Sequence, residues 1–144
     1  ISSTFWTERI GSVAGLATLK VMERENSWEK ITATGENITK EWIKLAKESE
    51  IPLETSGLAA LTTFTIKSKN ALAYKTLISQ EMLKKGYLAA TAVYSSTAHS
   101  AEIMNGYLET LKPIFAMIKE CEEGRNVMEL LEGPIAHSGF KRLN

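Results

Sequence analysis

The sequence predicts a two-layer α/β domain, an α+β-like sandwich. A small mixed sheet carries helices mainly on one face, and a long apolar helix precedes it. Three observations point there. Apolar residues recur at spacings of three and four in several stretches, as buried helix faces require. Leu58, Ala60, Thr62, Phe64 and Ile66 alternate with Ala59, Leu61, Thr63 and Thr65, as a strand requires. A further helix pattern and a second strand-like run then follow in succession, which suggests a crossover unit. The 144 residues fit one domain, and 44% apolar content provides for a sizeable core.

Taken in order, Thr7 is suited to cap a first helix that runs to about Glu25. Ile10, Ala14, Ala17 and Val21 form one apolar face, and Val13, Leu16, Leu19 and Met22 add apolar groups at other angles. Gly11 and Gly15 would let another backbone come close. A helix apolar nearly all round needs burial on more than one side, so this one implies a neighbour. Ser27 can cap a second helix, in which Trp28, Ile31, Gly35, Ile38, Trp42 and Leu45 make a one-sided stripe.

The alternating run 58–66 reads as one strand. Asn70 caps a third helix through Tyr74, Leu77, Ile78 and Met82, which Gly86 ends. Tyr87 to Tyr94 reads as a second strand. A last helix starts near Ser100, with Met104, Leu108, Leu111, Phe115 and Ile118 on one face. Pro113 should kink it or split it, and Gly124 should stop it. Asn126 to Leu131 can add a turn or two before a polar tail.

Several function classes are disfavoured at once. Seventeen basic and seventeen acidic residues cancel, leaving none of the basic footprint of a nucleic-acid binder. No run has the apolar length of a membrane span, and Ile1 to Arg9 lacks the pattern of a signal peptide. Cys121 is the one cysteine, which reads as a cytoplasmic protein without a disulfide framework.

Reactive constellations are equally thin. His99 and His137 are the only histidines and have no partner at a metal-ligand spacing. Ser95, Ser96 and Ser100 lie near His99, but no acid is placed to complete a triad, and helix capping explains Ser100 more simply. Neither a phosphate-binding glycine loop nor a dinucleotide fingerprint is present. The residues alone therefore indicate an α/β domain with an unusually apolar first helix and assign no metal ligand or catalytic group.

The run Ser3-Thr4-Phe5-Trp6-Thr7-Glu8-Arg9-Ile10-Gly11, followed by Ala14-Gly15-Leu16-Ala17-Thr18-Leu19-Lys20, resembles class III aminotransferases. The resemblance is strongest to the glutamate-1-semialdehyde aminomutase branch. In that family a Gly-Thr-rich turn enters a long helix reading Ala-Gly-Leu-Ala-Thr-Leu, which joins the large cofactor domain to the small domain. Gly86-Tyr87-Leu88-Ala89 and Ala98-His99-Ser100-Ala101-Glu102-Ile103 are similar to the same family, in the same order. The likeness runs from Ser3 to about Glu120.

The resemblance implies the C-terminal small domain of a fold-type I pyridoxal-phosphate enzyme. Residues 1–25 would be the interdomain turn and linking helix, and residues 26–144 the small-domain body and tail. The opening on Ile1, in the middle of the motif, fits a piece of a longer chain. Thr4, with Ser3 as a weaker companion, would touch the phosphate of pyridoxal phosphate held mainly by the other subunit of a homodimer. The family's catalytic lysine and its pyridine-pairing aspartate lie upstream, so no catalytic residue is implied here. The chain would supply an active-site lid and part of the dimer contact, bind no cofactor by itself, and be inactive alone.

The parent's substrates would be amino acids or carbonyl compounds. The branch's acidic residue between Tyr-Leu-Ala and Ala-His-Ser has no counterpart in Ala90 to Thr97, so the resemblance carries no substrate over. An alternative is a stand-alone small-molecule-binding or regulatory module, which would cover its first helix with its own chain and enclose a pocket.

Overall fold

The computed structural model describes residues 8–137 and 139. Helix α1 (Arg9–Glu25) leads directly into α2 (Ser27–Glu48), and the chain turns at Asn26, whose φ of 48° is left-handed. A hairpin of β1 (Leu53–Leu58) and β2 (Leu61–Ile66) follows, then α3 (Ala71–Lys84), β3 (Ala92–Tyr94), α4 (Ala101–Glu122) and a 3-10 turn at Val127–Glu129.

The sheet has the order β1-β2-β3. Both pairings are antiparallel, with Leu58 opposite Leu61 in the hairpin and Leu61 opposite Tyr94 across β2 and β3. The two-layer α/β class therefore holds, but the sheet is antiparallel throughout rather than mixed. The expected single strand over 58–66 is a hairpin folded at Ala59-Ala60, with its first arm beginning at Leu53. Gly57 permits this turn: its φ is +97°, and a Cβ there would lie 2.4 Å from the Leu61 carbonyl oxygen. Because β2 runs back from the turn, α3 returns the chain to an antiparallel β3. That second strand keeps only three of its eight expected residues.

On one face of the sheet, alternate residues of β2 (Thr62, Phe64 and Ile66) point into the helices and are buried. Trp42 of α2 packs its ring edgewise on Phe64, with centroids 4.7 Å apart, and Phe64 packs likewise on Phe115 of α4 at 5.9 Å. Tyr74, Leu77, Ile78 and Met82 of α3 close the core beside Leu111 and Ile118. The Trp42 indole N–H donates to the Tyr107 hydroxyl at 2.9 Å, so the deepest polar atoms satisfy each other. Burial pushes the Tyr107 phenol well above its ordinary range.

A second latch joins the layers: the hydroxyls of Thr39 and Thr62 share a hydrogen bond of 2.7 Å. Gly35 brings the layers closest, since a Cβ there would lie 1.6 Å from the Ala59 carbonyl oxygen. Helix α2 thus rests directly on the hairpin tip.

The helix ends follow their sequence signals. Ser100 Oγ accepts from the Ile103 N–H at the start of α4. After α3, the Gly86 N–H donates to Leu83 O and the Tyr87 N–H to Met82 O, the paired bonds of a Schellman end. Gly124 and Arg125 repeat them on Cys121 and Glu120. Helix α4 runs unbroken through Pro113 rather than splitting. Pro113 and Glu109, whose carbonyl loses its helical donor, are both exposed, so water can take the vacated position. The tail is strapped along α3, where Gln80 bonds Leu130 O and the Glu132 N–H, and Thr76 Oγ1 accepts from the Ala136 N–H.

At the far end of the core, the Tyr74 hydroxyl donates to Glu122 at 2.5 Å and Ser68 donates to the same oxygen at 2.7 Å. These two donors hold the Glu122 carboxyl below the usual carboxylate range. Its stabilising effect is complete above the unfolded carboxyl value of about 4.3 and is lost as pH falls through the lower folded value. Glu122→Gln should therefore flatten the acid limb of a plot of melting temperature against pH. An acid limb identical to that of the unaltered chain would refute this.

Candidate functional site

Ser3 and Thr4, the expected cofactor contacts, lie outside the described residues. Thr7, the expected cap, does too, and the cap observed is Glu8. The Glu8 carboxylate accepts from the Gly11 N–H at 3.0 Å and also from the Ile10 N–H. A carboxylate is favourable at a helix start, where the dipole is positive. It also takes the seat an anion would use there.

The described α1 offers a surface rather than a pocket. None of its residues is buried. Ile10 is 79% exposed, Leu16 63% and Leu19 61%, while Val13, Val21 and Met22 also face solvent. Gly15 has nothing within 4 Å of where a Cβ would stand. Large apolar side chains concentrated on one element in this way mark a surface made for contact.

A lysine that forms a covalent link to a carbonyl must be neutral to attack, which calls for a desolvated pocket and a lowered pKa. Among the described residues every lysine is exposed except the half-buried Lys119. Two shift clearly, and both move upward: Lys84 through its bonds to Glu132 and Glu81, and Lys119 through Glu50 and Glu123. These environments hold the charged ammonium.

His99 is engaged locally. Its Nδ1 accepts from the Ser96 N–H at 3.2 Å, Ser96 Oγ accepts from the Ala98 N–H, and Ser100 Oγ caps α4. Ser95 Oγ is buried without a hydrogen-bond partner among the described residues, close to where a Cβ on Gly35 would stand. No carboxylate bonds His99 among the described residues, so acid, base and nucleophile do not converge. Nor do three or more His, Cys, Asp or Glu gather there into a possible metal site.

Sequence reasoning missed a hollow of about 310 Å³ between β3 and the start of α4. Tyr87, Tyr94 and Tyr107 line it with Leu88, Val93, Ile103, Met104 and His99. Its signal in the sequence is the cluster of aromatic and aliphatic residues around Ala-His-Ser, which periodicity places in strand and helix packing.

No family model matches the chain. Over 77 residues it is 31% identical to the 3-aminobutyryl-CoA aminotransferase of Cloacimonas acidaminovorans (strain Evry), a match covering 54% of this chain. The sequence likeness is to an aminotransferase. The match spans 19% of that relative's length. In fold, the chain superposes with a TM-score of 0.73 on the pyridoxal-phosphate internal aldimine form of the FumI protein of Sphingopyxis sp. MTA144, at 15% identity. That superposition covers 91% of this chain and 32% of the FumI chain. The architecture described above is thus found within a pyridoxal-phosphate protein about three times as long. No described helix is long and apolar enough to cross a membrane.

Proposed function

We propose that the chain is the C-terminal small domain of a longer pyridoxal-phosphate-dependent aminotransferase or aminomutase. Within that group it is read as class III and similar to glutamate-1-semialdehyde aminomutase. The observation that carries this reading is the agreement of two independent likenesses, one in sequence to an aminotransferase and one in fold to a third of a pyridoxal-phosphate protein. Bound in the parent, the cofactor supplies an electron sink for charge developing on the substrate carbon. The residues of this chain would do other work. α1 would seat its apolar faces on the large domain, Thr4 and Ser3 would meet the phosphate across a homodimer interface, and the body would lid the active site. The parent's place would be the cytoplasm.

The uncovered α1 supports this reading over a stand-alone binding or regulatory module, which would bury its first helix under its own chain. Two experiments test it. The gene upstream of the Ile1 codon should encode in frame a large domain carrying the covalent lysine and an aspartate for the pyridine nitrogen. A start codon immediately before Ile1 would sink the proposal. The chain supplied with pyridoxal phosphate, an amino donor and a keto acceptor should show no transamination above that of the free cofactor. Turnover by the chain alone would overturn the claim that it is inactive.

A double substitution, Leu16→Ser with Leu19→Ser, isolates the docking role. Both side chains are exposed, so the core should lose no more than about 0.5 kcal/mol. Association with a separately produced large domain should weaken at least tenfold. Association as tight as that of the unaltered chain would remove α1 from the interface.

A further inference from the structure

We propose that the hollow between β3 and the start of α4 receives a short, uncharged aliphatic carbonyl group, such as the acyl part of an amide, ester or thioester. The inference deepens the aminotransferase reading, on which it rests only for the group's role as a substrate tail. Four observations carry it. The volume, about 310 Å³, is at the small end of about 300–1,000 Å³ for ligand pockets, so it suits a short chain. Its walls are aliphatic and aromatic, which favours an alkyl segment.

The third observation is charge. Among the described residues no Asp, Glu, Lys or Arg lines the hollow, so a free carboxylate or ammonium would be desolvated there without a counter-ion from them. The fourth is the histidine. His99 Nδ1 accepts from the Ser96 N–H and so carries no proton of its own. In the neutral ring the proton must then sit on Nε2, which has no partner among the described residues. A mostly apolar bowl whose side-chain polar groups are this N–H and the hydroxyls of Tyr87, Tyr94 and Tyr107, all able to donate, suits a carbonyl oxygen as its ligand's polar atom. A ligand without such an oxygen would leave that donor unsatisfied as it desolvates the ring.

The test is amide-resolved NMR of the 144-residue chain titrated with butyramide, with butyrate of the same chain length as the charged control and chlorobutane as the control lacking a carbonyl. Butyramide should give saturable shifts at Val93, Tyr94, His99 and Ile103, and butyrate should bind at least tenfold more weakly. Ile103→Trp, on a half-exposed position, should fill the hollow and abolish the butyramide shifts while leaving the melting temperature in place.

His99→Phe should weaken butyramide about tenfold and leave chlorobutane unchanged. Should that variant misfold, His99→Gln keeps a donor and should retain the preference for butyramide. Butyrate binding as tightly as butyramide, shifts centred on α1, or an Ile103→Trp titration like that of the unaltered chain would each overturn the proposal. Butyramide binding in a chain whose gene shows no upstream large domain would leave the site standing and sink only the aminotransferase reading. No binding, with the large domain found, would do the reverse.

Discussion

Trp42→Ala is expected to remove about 3–5 kcal/mol of stability, the range for deleting a large buried aromatic. A domain holds only about 5–15 kcal/mol in all, so the variant should lie at the edge of folding. Trp42 is fully buried, and its ring is the contact through which α2 meets Phe64 of the sheet and, by its N–H, Tyr107 of α4. Truncation opens a cavity and strands a buried hydroxyl in one step. Trp42→Phe separates the two effects, because it restores much of the ring and leaves only the stranded hydroxyl, at about 1–3 kcal/mol. Urea unfolding followed by far-UV circular dichroism checks both. A loss under about 1 kcal/mol for Trp42→Ala would mean that α2 is not seated on the sheet as described.

Gly35→Ala should also destabilise the domain, although alanine favours a helix over glycine by about 1 kcal/mol. The added methyl would overlap the Ala59 carbonyl oxygen, at 1.6 Å, and crowd Ser95 Oγ, at 3.1 Å. The oxygen belongs to backbone in a two-residue turn, so no side-chain rotation relieves the clash. Either α2 lifts or the hairpin tip shifts, and overpacking of this kind costs about 1–3 kcal/mol. Less the helix gain, a net loss of about 1 kcal/mol corresponds to roughly 2–4 °C in melting temperature at this size. NMR should also show the Thr39–Thr62 latch loosened. Unchanged or raised stability would contradict the close approach.

The helices were legible because their ends announce themselves chemically. Ser100 capped α4, Gly86 and Gly124 followed α3 and α4, and the stripe through Ile38, Trp42 and Leu45 faces the core as its spacing required. Trp28, at the other end of that stripe, is 45% exposed, because α2 overhangs the sheet there. The hairpin was illegible for a definite reason. Its tip is Ala59-Ala60, neither of which has the positive φ that would demand glycine or asparagine, so in the sequence the alternation runs straight through. The clue lay two residues earlier, in Gly57.

The site was less legible than the fold. The cap fell on Glu8 because a carboxylate can bond two helix amides at once. The hollow at His99 could not be seen because it is formed by β3 and α4 meeting in space, and periodicity reports on one element at a time.

One left-handed residue, Asn26, joins two helices of very different standing. Helix α2 is anchored from Gly35 onward, whereas α1 is seventeen residues long and buries none of them. A helix of that length without tertiary support is marginal in water. Its unfolding therefore need not wait for the core. Amide hydrogens of α1 should exchange with solvent through local opening, far sooner than those of Ile38 to Ala46, whose release requires global unfolding. In the isolated chain, cooperativity should stop near Asn26. If a larger partner covers α1, that boundary should vanish, and the exchange rates of α1 should fall to those of the body.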